Sequence, residues 1–287
     1  MISAIRDAFI DRRIRAKATL STTPLDRYRI CIARDVREYE DAFHLLHIAY
    51  AFQGIENARS NKMRITPQHV LPEATVFVAY DGDQCVGTMT VTLDSPAGIP
   101  IESDYRDAIG ALRARGARLV EYGSLAVVRR CWSTGVTVLL NTAATYWAIN
   151  MLGATDIVMG VNPKAAPVYR AIYKFRPLGK AREHSELTAP VLAMTTNLRD
   201  SVAHARKHFS KPLSSGLTIA DHYTRVLPTC IRIPAEVPKR ELARWKLPRV
   251  VFQQLFIEKS DRLDTLDPAT LDYLKRWRSD QTLERCA

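Results

Sequence analysis

The sequence lacks several features that would narrow its class. Its five cysteines include no C-x-x-C pair, so reduced thiols are expected and a disulfide framework is not. No apolar run reaches the roughly 18 residues that a membrane-spanning helix needs. The chain also has no helix-turn-helix, zinc-binding or RNA-binding signature, no internal repeat and no low-complexity segment. These absences favour a globular protein without a metal and argue against a nucleic-acid-binding or membrane-embedded one.

Acidic residues are outnumbered, with 30 Asp or Glu against 41 Lys or Arg and a formal net charge of +11. Nucleic acid, a membrane surface, an acidic carrier protein and general solubility each account for this charge, and nucleic acid is the least favoured. Residues 1–25 alternate apolar and basic side chains without the continuous apolar core of a signal peptide. We therefore expect an amphipathic N-terminal helix and a cytoplasmic protein.

Apolar periodicity predicts one mixed α/β domain over residues 26–200. Strands are expected at 27–33, 75–80, 85–93, 119–128, 156–161 and 188–197. Helices are expected at 35–52, 103–115, 135–152 and 163–174. Residues 201–287 carry 16 Lys or Arg and 10 Asp or Glu, with helices expected at 240–245 and 268–278. We interpret this part as a basic C-terminal extension that covers the domain, pairs with a second copy or contacts a membrane.

A strand, a loop and a helix follow one another over residues 125–139. A helix that begins at Gly135 presents free backbone N–H groups and the positive end of its dipole, which suit a phosphate. This segment resembles the acyl-CoA-binding motif of the GNAT acyltransferase superfamily, in which a strand ending in L-A-V precedes R/Q-x-x-G-x-G/A. The resemblance implies donor binding by eight positions: Leu125, Ala126, Val127, Trp132, Gly135, Val136, Thr137 and Asn162. A glycine-capped helix without a ligand is the alternative.

Trp132 stands where the GNAT motif has Arg or Gln. This departure is easier to reconcile with an acyl-phosphopantetheine on an acyl carrier protein, which has one phosphate, than with acyl-CoA, which has three. A second segment, residues 161–175, is similar to the later GNAT motif N-x-x-A-x-x-x-Y-x-x-x-G-F, and Tyr173 replaces its glycine. The resemblance implies that Tyr169 protonates the leaving thiolate. A tyrosine buried in the core is the alternative for this position.

The strand Glu121–Val127 narrows the resemblance. It is similar to the E-x-S-R-F-A-V strand of acyl-homoserine-lactone synthases and to FeeM-type long-chain N-acyl amino acid synthases, over about residues 28–198. Autoinducer synthases carry a W-x-x-x-D-x-D segment that binds S-adenosylmethionine, whereas residues 67–75 contain no paired aspartates. The FeeM-type match is the closer one, and it implies Glu121, Ser124 and Tyr169 as catalytic residues.

The resemblance implies a fold and a reaction. The expected fold is α/β (α+β), a GNAT-like, mostly antiparallel central sheet flanked by helices. The expected reaction moves a medium or long acyl chain from a carrier-protein or CoA thioester to the amine of an amino acid. Two alternatives stay open: an autoinducer-type acyl-homoserine-lactone synthase, and a non-catalytic protein that binds an acyl ligand or a carrier protein.

Glu121 suits this reaction because a thioester is attacked by a neutral amine, and an amino acid carries an ammonium group. A partly buried carboxylate has a raised pKa and can accept the proton that the ammonium must lose. The alternative is a structural carboxylate that ties down the loop following the hairpin. Backbone N–H groups around Leu125–Val127 are expected to polarise the thioester carbonyl.

Overall fold

The computed structural model describes residues 2–17, 27–54, 61–132, 134–184, 187–213, 216–233 and 248–283. The strands in chain order are β1 Tyr28–Ile32, β2 Ala74–Asp81, β3 Gln84–Leu93, β4 Leu119–Val127, β5 Asp156–Val161, β6 Arg176–Pro177, β7 Arg182–His184, β8 Leu187–Asn197 and β9 Ile231–Arg232. The helices are α1 Ile2–Lys17, α2 Val36–Phe52, α3 Glu102–Ala114, α4 Val136–Tyr146, α5 Ala166–Tyr173, α6 Leu198–His208, α7 Ile219–Thr224, α8 Arg249–Val251 and α9 Pro268–Leu283.

The strands form one open sheet in the order β6-β8-β5-β4-β3-β2-β1-β9, and β7 pairs with β8. The β4–β5 and β1–β9 pairs are parallel, and the other pairs are antiparallel. The expected mostly antiparallel sheet flanked by helices is therefore confirmed. The hairpin between β2 and β3 turns at Gly82, whose φ of 61° suits a residue without a Cβ.

Helices cover both faces of the sheet, which is why seven of the eight residues of β2 are buried. On one face, β2 and β3 pack against α4, and Phe77 and Trp147 meet edge to face with ring centroids 6.5 Å apart. On the other face, Val76 and Val78 pack against α2 and the residues that follow α8, including Phe43 and Phe256. The strand alternation places Glu121 on the side of the sheet that α3 covers.

The chain after residue 200 packs onto this sheet domain. Ile219 and Tyr223 of α7 join the core on the α4 side, and Phe252 and Phe256 join the core on the α2 side. At the other end of the chain, α1 contacts α5, where Arg170 lies 3.0 Å from Asp11. The division into residues 1–25, 26–200 and 201–287 stays a prediction.

Several local expectations differ from the observed elements. The helix expected to run from 135 to 152 is α-helical only over Val136–Tyr146 and continues as a π-helical turn over Trp147–Met151, which seats the buried Trp147. The expected C-terminal helix is longer and ends at Leu283. The helix expected at 240–245 lies outside the described residues. Of the described helices, none has the length and apolar character needed to cross a membrane.

Candidate active site

A wedge-shaped opening separates the two parallel strands at the centre of the sheet. β4 and β5 pair only from Leu119↔Asp156 to Glu121↔Val158. Beyond that point, β4 continues along β3 to Val127, and β5 continues along β8 to Val161. In this described part of the chain, the facing edges of the two strands make no further ladder pairs with each other. Beyond this point, no ladder hydrogen bond between β4 and β5 engages the backbone N–H and C=O groups of their facing edges.

A β-bulge bends β4 where the opening begins. Thr90 pairs with Gly123 and Thr88 pairs with Ala126, so Ser124 and Leu125 together face Met89. Ser124 has a φ of 49°, a left-handed conformation that is uncommon for a residue with a side chain. The bulge or close approach expected of the strand glycine is confirmed, one residue beyond Gly123. It changes the direction of the backbone between Glu121 and the Leu125–Val127 segment.

Glu121 is buried, with 6% of its surface exposed. Its Oε2 accepts a hydrogen bond of 2.8 Å from the backbone N–H of Ile101. Burial raises the pKa of the carboxyl group to about 8, the negative charge of Asp104 adds to the rise, and the Ile101 hydrogen bond opposes it. At pH 7 the carboxyl group is therefore mostly the neutral acid, and it exchanges a proton near physiological pH.

The two carboxyl oxygens of Glu121 have different surroundings. Oε2 ties down the loop before α3, which is the structural role weighed as the alternative for this residue. Oε1 receives no hydrogen bond from the described residues and lies 3.9 Å from the point that a Cβ on Gly123 would occupy. Oε2 thus makes a structural hydrogen bond, whereas Oε1 lies near Gly123, which lines the cavity.

A cavity of about 460 Å³ opens beside Glu121 and Ser124, and both residues line it. Gly123 and Gly160 line it from the two diverging strands. Five further segments supply walls: the end of α2 at Tyr50, residues 64–71, residues 97–103, the β7–β8 region through His184, Leu187 and Val191, and residues 265–270 from the C-terminal part of the chain. The volume falls within the range of about 300–1,000 Å³ that is usual for small-ligand sites.

Tyr169 lies on α5, the helix that follows β5 in the chain. It packs against Tyr173 and Phe175, with ring centroids 6.3 and 6.1 Å away. Burial raises the pKa of its phenol, and the nearby phenol of Tyr50 adds to the rise. Tyr169 is not among the residues that line the cavity, whereas Tyr50 is. A phenol with a raised pKa stays protonated at neutral pH and is a proton donor rather than a base.

The predicted donor loop lies at the far end of β4. Val128 donates its N–H to Val86, which leaves the C=O of Val127 on the side of β4 away from β3. The indole N–H of Trp132 donates to that carbonyl over 2.9 Å. The residue is nevertheless 55% exposed. Trp132 therefore occupies the Val127 carbonyl at the end of β4.

The helix N-terminus follows directly. Gly135 is the N-cap of α4 with a φ of 91°, a conformation that disfavours every residue with a Cβ. Val136 is fully buried, whereas Thr137 is partly exposed at the first turn. Asn162 lies at the end of β5, and its side chain accepts from the N–H of Lys164 over 2.9 Å, so it caps the short 3-10 turn Pro163–Ala165. Its predicted role in donor binding stays a prediction.

The structure therefore brings Glu121 and Ser124 together on the cavity wall and places Leu125, Ala126 and Val127 along the same strand. Sequence reasoning missed three parts of the cavity: Arg64, Tyr50 and residues 265–270. The only available signal for Arg64 was its position in a long connection between α2 and β2, since such loops are often functional. Within the described residues, no group of three metal-binding side chains is found.

Comparisons with known proteins agree with this geometry. No curated protein matches the chain. The solved structure of FeeM, an N-acyl amino acid synthase from uncultured soil microbes, is 21% identical, with 62% of this chain and 94% of that chain covered and a TM-score of 0.55. The CoA-dependent acyl-homoserine lactone synthase BjaI, solved with SAM and isopentyl-CoA, is 14% identical, with 76% and 98% covered and a TM-score of 0.51.

At these identities the solved structures show the fold, and the expected GNAT-like fold class is confirmed. The activity rests on a family model, described as the N-acyl amino acid synthase FeeM, which matches residues 41–197. This match covers more than half of the chain and contains the cleft, the bulge and Glu121. The chain therefore belongs to the FeeM family of N-acyl amino acid synthases and is an N-acyltransferase.

Proposed function

We propose that this enzyme transfers a medium or long acyl chain from a phosphopantetheine thioester to the α-amine of an amino acid. The observation that carries the proposal is Glu121, a buried carboxyl group with a pKa raised to about 8, on the wall of a cavity beside the β4–β5 opening. A base with this pKa matches the task of removing a proton from an ammonium group near neutral pH.

In the proposed reaction, Glu121, the Leu125–Val127 backbone and Tyr169 each have one role. The ammonium of the acceptor loses a proton to Glu121, and the neutral amine attacks the thioester carbonyl carbon to form the C–N bond. Backbone N–H groups of Leu125–Val127, turned by the bulge at Ser124, stabilise the negative charge that develops on the carbonyl oxygen. The C–S bond then breaks, and the thiolate takes a proton from Tyr169. The attacking nitrogen loses its second proton in the same step, and this proton returns through solvent to the Tyr169 phenolate. Glu121 then releases its own proton to solvent. The products are an N-acyl amino acid and a free pantetheine thiol.

The donor is proposed to be an acyl carrier protein. Trp132 fills the loop position that binds CoA phosphates in GNAT enzymes, and its exposed indole lies next to the exposed Arg129 and Arg130. A basic and apolar surface of this kind fits an acidic carrier protein. Acyl-CoA is the alternative donor, and BjaI is CoA-dependent. In either case the acyl chain needs an apolar groove, since each buried CH₂ contributes about 0.8 kcal/mol.

The proposal is tested by incubating purified enzyme with amino acids and one dodecanoyl group carried either by CoA or by carrier protein. Mass spectrometry should detect an N-dodecanoyl amino acid, with kcat/KM at least about tenfold higher for the carrier-protein donor at low salt, because charge attraction raises the association rate. This preference should weaken as the salt concentration rises.

Two results would contradict parts of this proposal. A clear preference for CoA without any loss at high salt rules out the carrier protein as donor. Formation of an acyl-homoserine lactone on addition of S-adenosylmethionine, with no N-acyl amino acid, replaces the proposed acceptor by that of an autoinducer synthase.

A further inference from the structure

Arg64 is a buried cation in the wall of the cavity. Only 5% of its surface is exposed, although it lines the same cavity as Glu121. Its backbone N–H donates to Phe43 over 3.0 Å, which fixes this segment against α2. Its guanidinium carbon lies 4.7 Å from the ring centre of Tyr50, another cavity-lining residue, in a cation–π contact. The guanidinium is thus held in a defined place beside the cavity.

Among the described residues, the neighbouring His69 adds no second positive charge to this wall. Burial and the charge of Arg64 lower the pKa of His69 to about 3, so this imidazole is neutral. Its Nδ1 accepts from the N–H of Thr66 over 3.1 Å, which leaves the proton on Nε2, 3.1 Å from Thr90 Oγ1. The His69 imidazole therefore packs behind the cavity wall as a neutral group, and Arg64 carries the positive charge.

Two other ionisable groups that line the cavity are also engaged by neighbouring residues. Both carboxylate oxygens of Asp267 accept hydrogen bonds from Thr270, over 3.0 and 2.6 Å. His184 lies 3.8 Å from the carboxylate of Asp104. Glu121 is the remaining acid, and its raised pKa leaves the ionised form as the proton acceptor near pH 8. The cavity thus combines the positive charge of Arg64 with a base, the ionised form of Glu121.

We propose that Arg64 binds the α-carboxylate of the acceptor and thereby presents its amine to Glu121. This inference rests on the proposed function and adds the feature by which the acceptor is recognised. An amino acid carries a carboxylate and an ammonium two bonds apart on the same carbon framework, and the two charges need opposite partners. The reverse orientation would place the ammonium against the guanidinium, where like charges repel strongly because the site is buried.

A guanidinium is the side chain best suited to this task. Its five N–H donors form a planar fork that holds a carboxylate through two parallel hydrogen bonds, and it can serve more than one partner at a time. Thr66 and Gln68 line the same wall and add hydroxyl and amide groups there. The proposed site therefore selects amino acids over simple amines through the carboxylate.

The experiment compares Arg64→Gln and Arg64→Lys with the wild type on two matched pairs of acceptors: tyrosine with tyramine, and leucine with isopentylamine. Each amine lacks only the carboxylate. The wild type should prefer the amino acid, and Arg64→Gln should lower kcat/KM for the amino acid about 10- to 100-fold, mainly through KM, which is the range for a lost charged hydrogen bond. The amines should change less than about threefold, since they make no such bond. Arg64→Lys should restore part of the preference.

Arg37→Gln serves as the matched control, because Arg37 lies on α2 with its side chain 75% exposed and forms a long ion pair of 4.0 Å with Asp41. It should leave both acceptor classes unchanged. If Arg64→Gln lowered kcat/KM equally for amino acids and amines, the inference would be overturned, because such a result would indicate a structural role for Arg64. An unchanged KM for the amino acid would overturn it as well.

Calorimetric titration with the free acceptors separates this inference from the proposed function. Tighter binding of tyrosine than of tyramine by the wild type, lost in Arg64→Gln, supports the carboxylate site even if no N-acyl tyrosine is formed. Equal binding of the two by the wild type contradicts the carboxylate site. Absence of any N-acyl amino acid product in the assays contradicts the proposed function alone.

Discussion

Glu121 combines a structural and a chemical function in one side chain. Its Oε2 holds the N–H of Ile101 at 2.8 Å and so fixes the start of α3, while burial raises the pKa of the carboxyl group to about 8. The two functions are compatible because a carboxyl group has two oxygens, and the hydrogen bond at Oε2 opposes the rise in pKa without cancelling it. A substitution that keeps a hydrogen-bond acceptor at the position of Oε2 therefore separates the structural function from the chemical one.

Glu121→Gln should lower kcat about 10²- to 10⁴-fold at pH 7 with the fold intact, because an amide accepts the Ile101 hydrogen bond but takes no proton. In the wild type, kcat/KM should increase as the pH rises through about 8, since only the ionised carboxylate is a base. The loss in the variant should shrink at higher pH, where more of the acceptor amine is already neutral. Steady-state rates between pH 6 and 10 measure both effects.

Glu121→Ala is the companion variant, since it removes the Ile101 hydrogen bond as well as the base. It should lose stability in addition to activity, whereas Glu121→Gln should lose activity alone. Near-wild-type turnover of Glu121→Gln at pH 7 would remove this residue from the mechanism.

At the scale of single elements, the placement of α4 depends on a close approach to β3. A Cβ added to Gly87 would lie 2.8 Å from Val136 Cγ1 and 3.1 Å from Leu140 Cδ1. Both of these side chains are fully buried, and Val136 is the first residue of α4. The glycine on β3 therefore sets the distance between the sheet and the helix N-terminus that is predicted to bind the donor phosphate.

Gly87→Ala should destabilise the protein by about 1–3 kcal/mol, the usual cost of overpacking a core, and should raise KM for the acyl donor by displacing the start of α4. Urea unfolding and donor kinetics measure the two effects. Gly110→Ala is the matched control, because Gly110 lies inside α3 and an added Cβ meets nothing within 4 Å. This control should be neutral or stabilising by up to about 1 kcal/mol. Equal stability of the two variants would refute the tight contact.

At the scale of the whole molecule, the chain beyond the family match completes both the core and the cavity. The family match ends at residue 197. Beyond it, Val251, Phe252, Leu255 and Phe256 are buried against the α2 side of the sheet, and β9 pairs with β1. Residues 265–270 line the cavity next to the 64–71 segment. The C-terminal part is therefore proposed to shape the acceptor site as well as to cover the sheet.

A chain that ends at residue 200 should be poorly soluble or change its oligomeric state, because both sheet faces would lose apolar cover. Its catalytic residues remain, but the cavity loses one wall, so selectivity among acceptors should decrease. Light scattering and acceptor kinetics measure these outcomes. A chain that ends at residue 283, directly after α9, is the control and should behave as the full chain. Unchanged mass, solubility and activity of the shorter chain would contradict a covering role for residues 201–287.

The order of the longer strands and helices up to residue 197 could be predicted from the sequence alone, because the periods of two and 3.6 residues are local properties of the chain. The helix α6 that follows was missed. The hairpin at Gly82 and the helix that begins after Gly135 were predictable because each needs a glycine with a positive φ. The bulge was expected at Gly123, but its positive φ falls on Ser124. Glu121 was recognisable from the resemblance of Glu121–Val127 to the E-x-S-R-F-A-V strand. Short elements without a period, such as the two-residue β9, were not predictable.

The site itself was decided by the tertiary structure. Arg64, Glu121 and residues 265–270 are far apart in sequence and share a cavity only because the sheet and its covering segments bring them together. The pKa of Glu121 depends on that burial, since a carboxyl group loses its hydration only when other segments enclose it. The sequence by itself therefore determined the elements and the family, whereas the arrangement of charge around the acceptor arose from packing between distant segments, which no local pattern encodes.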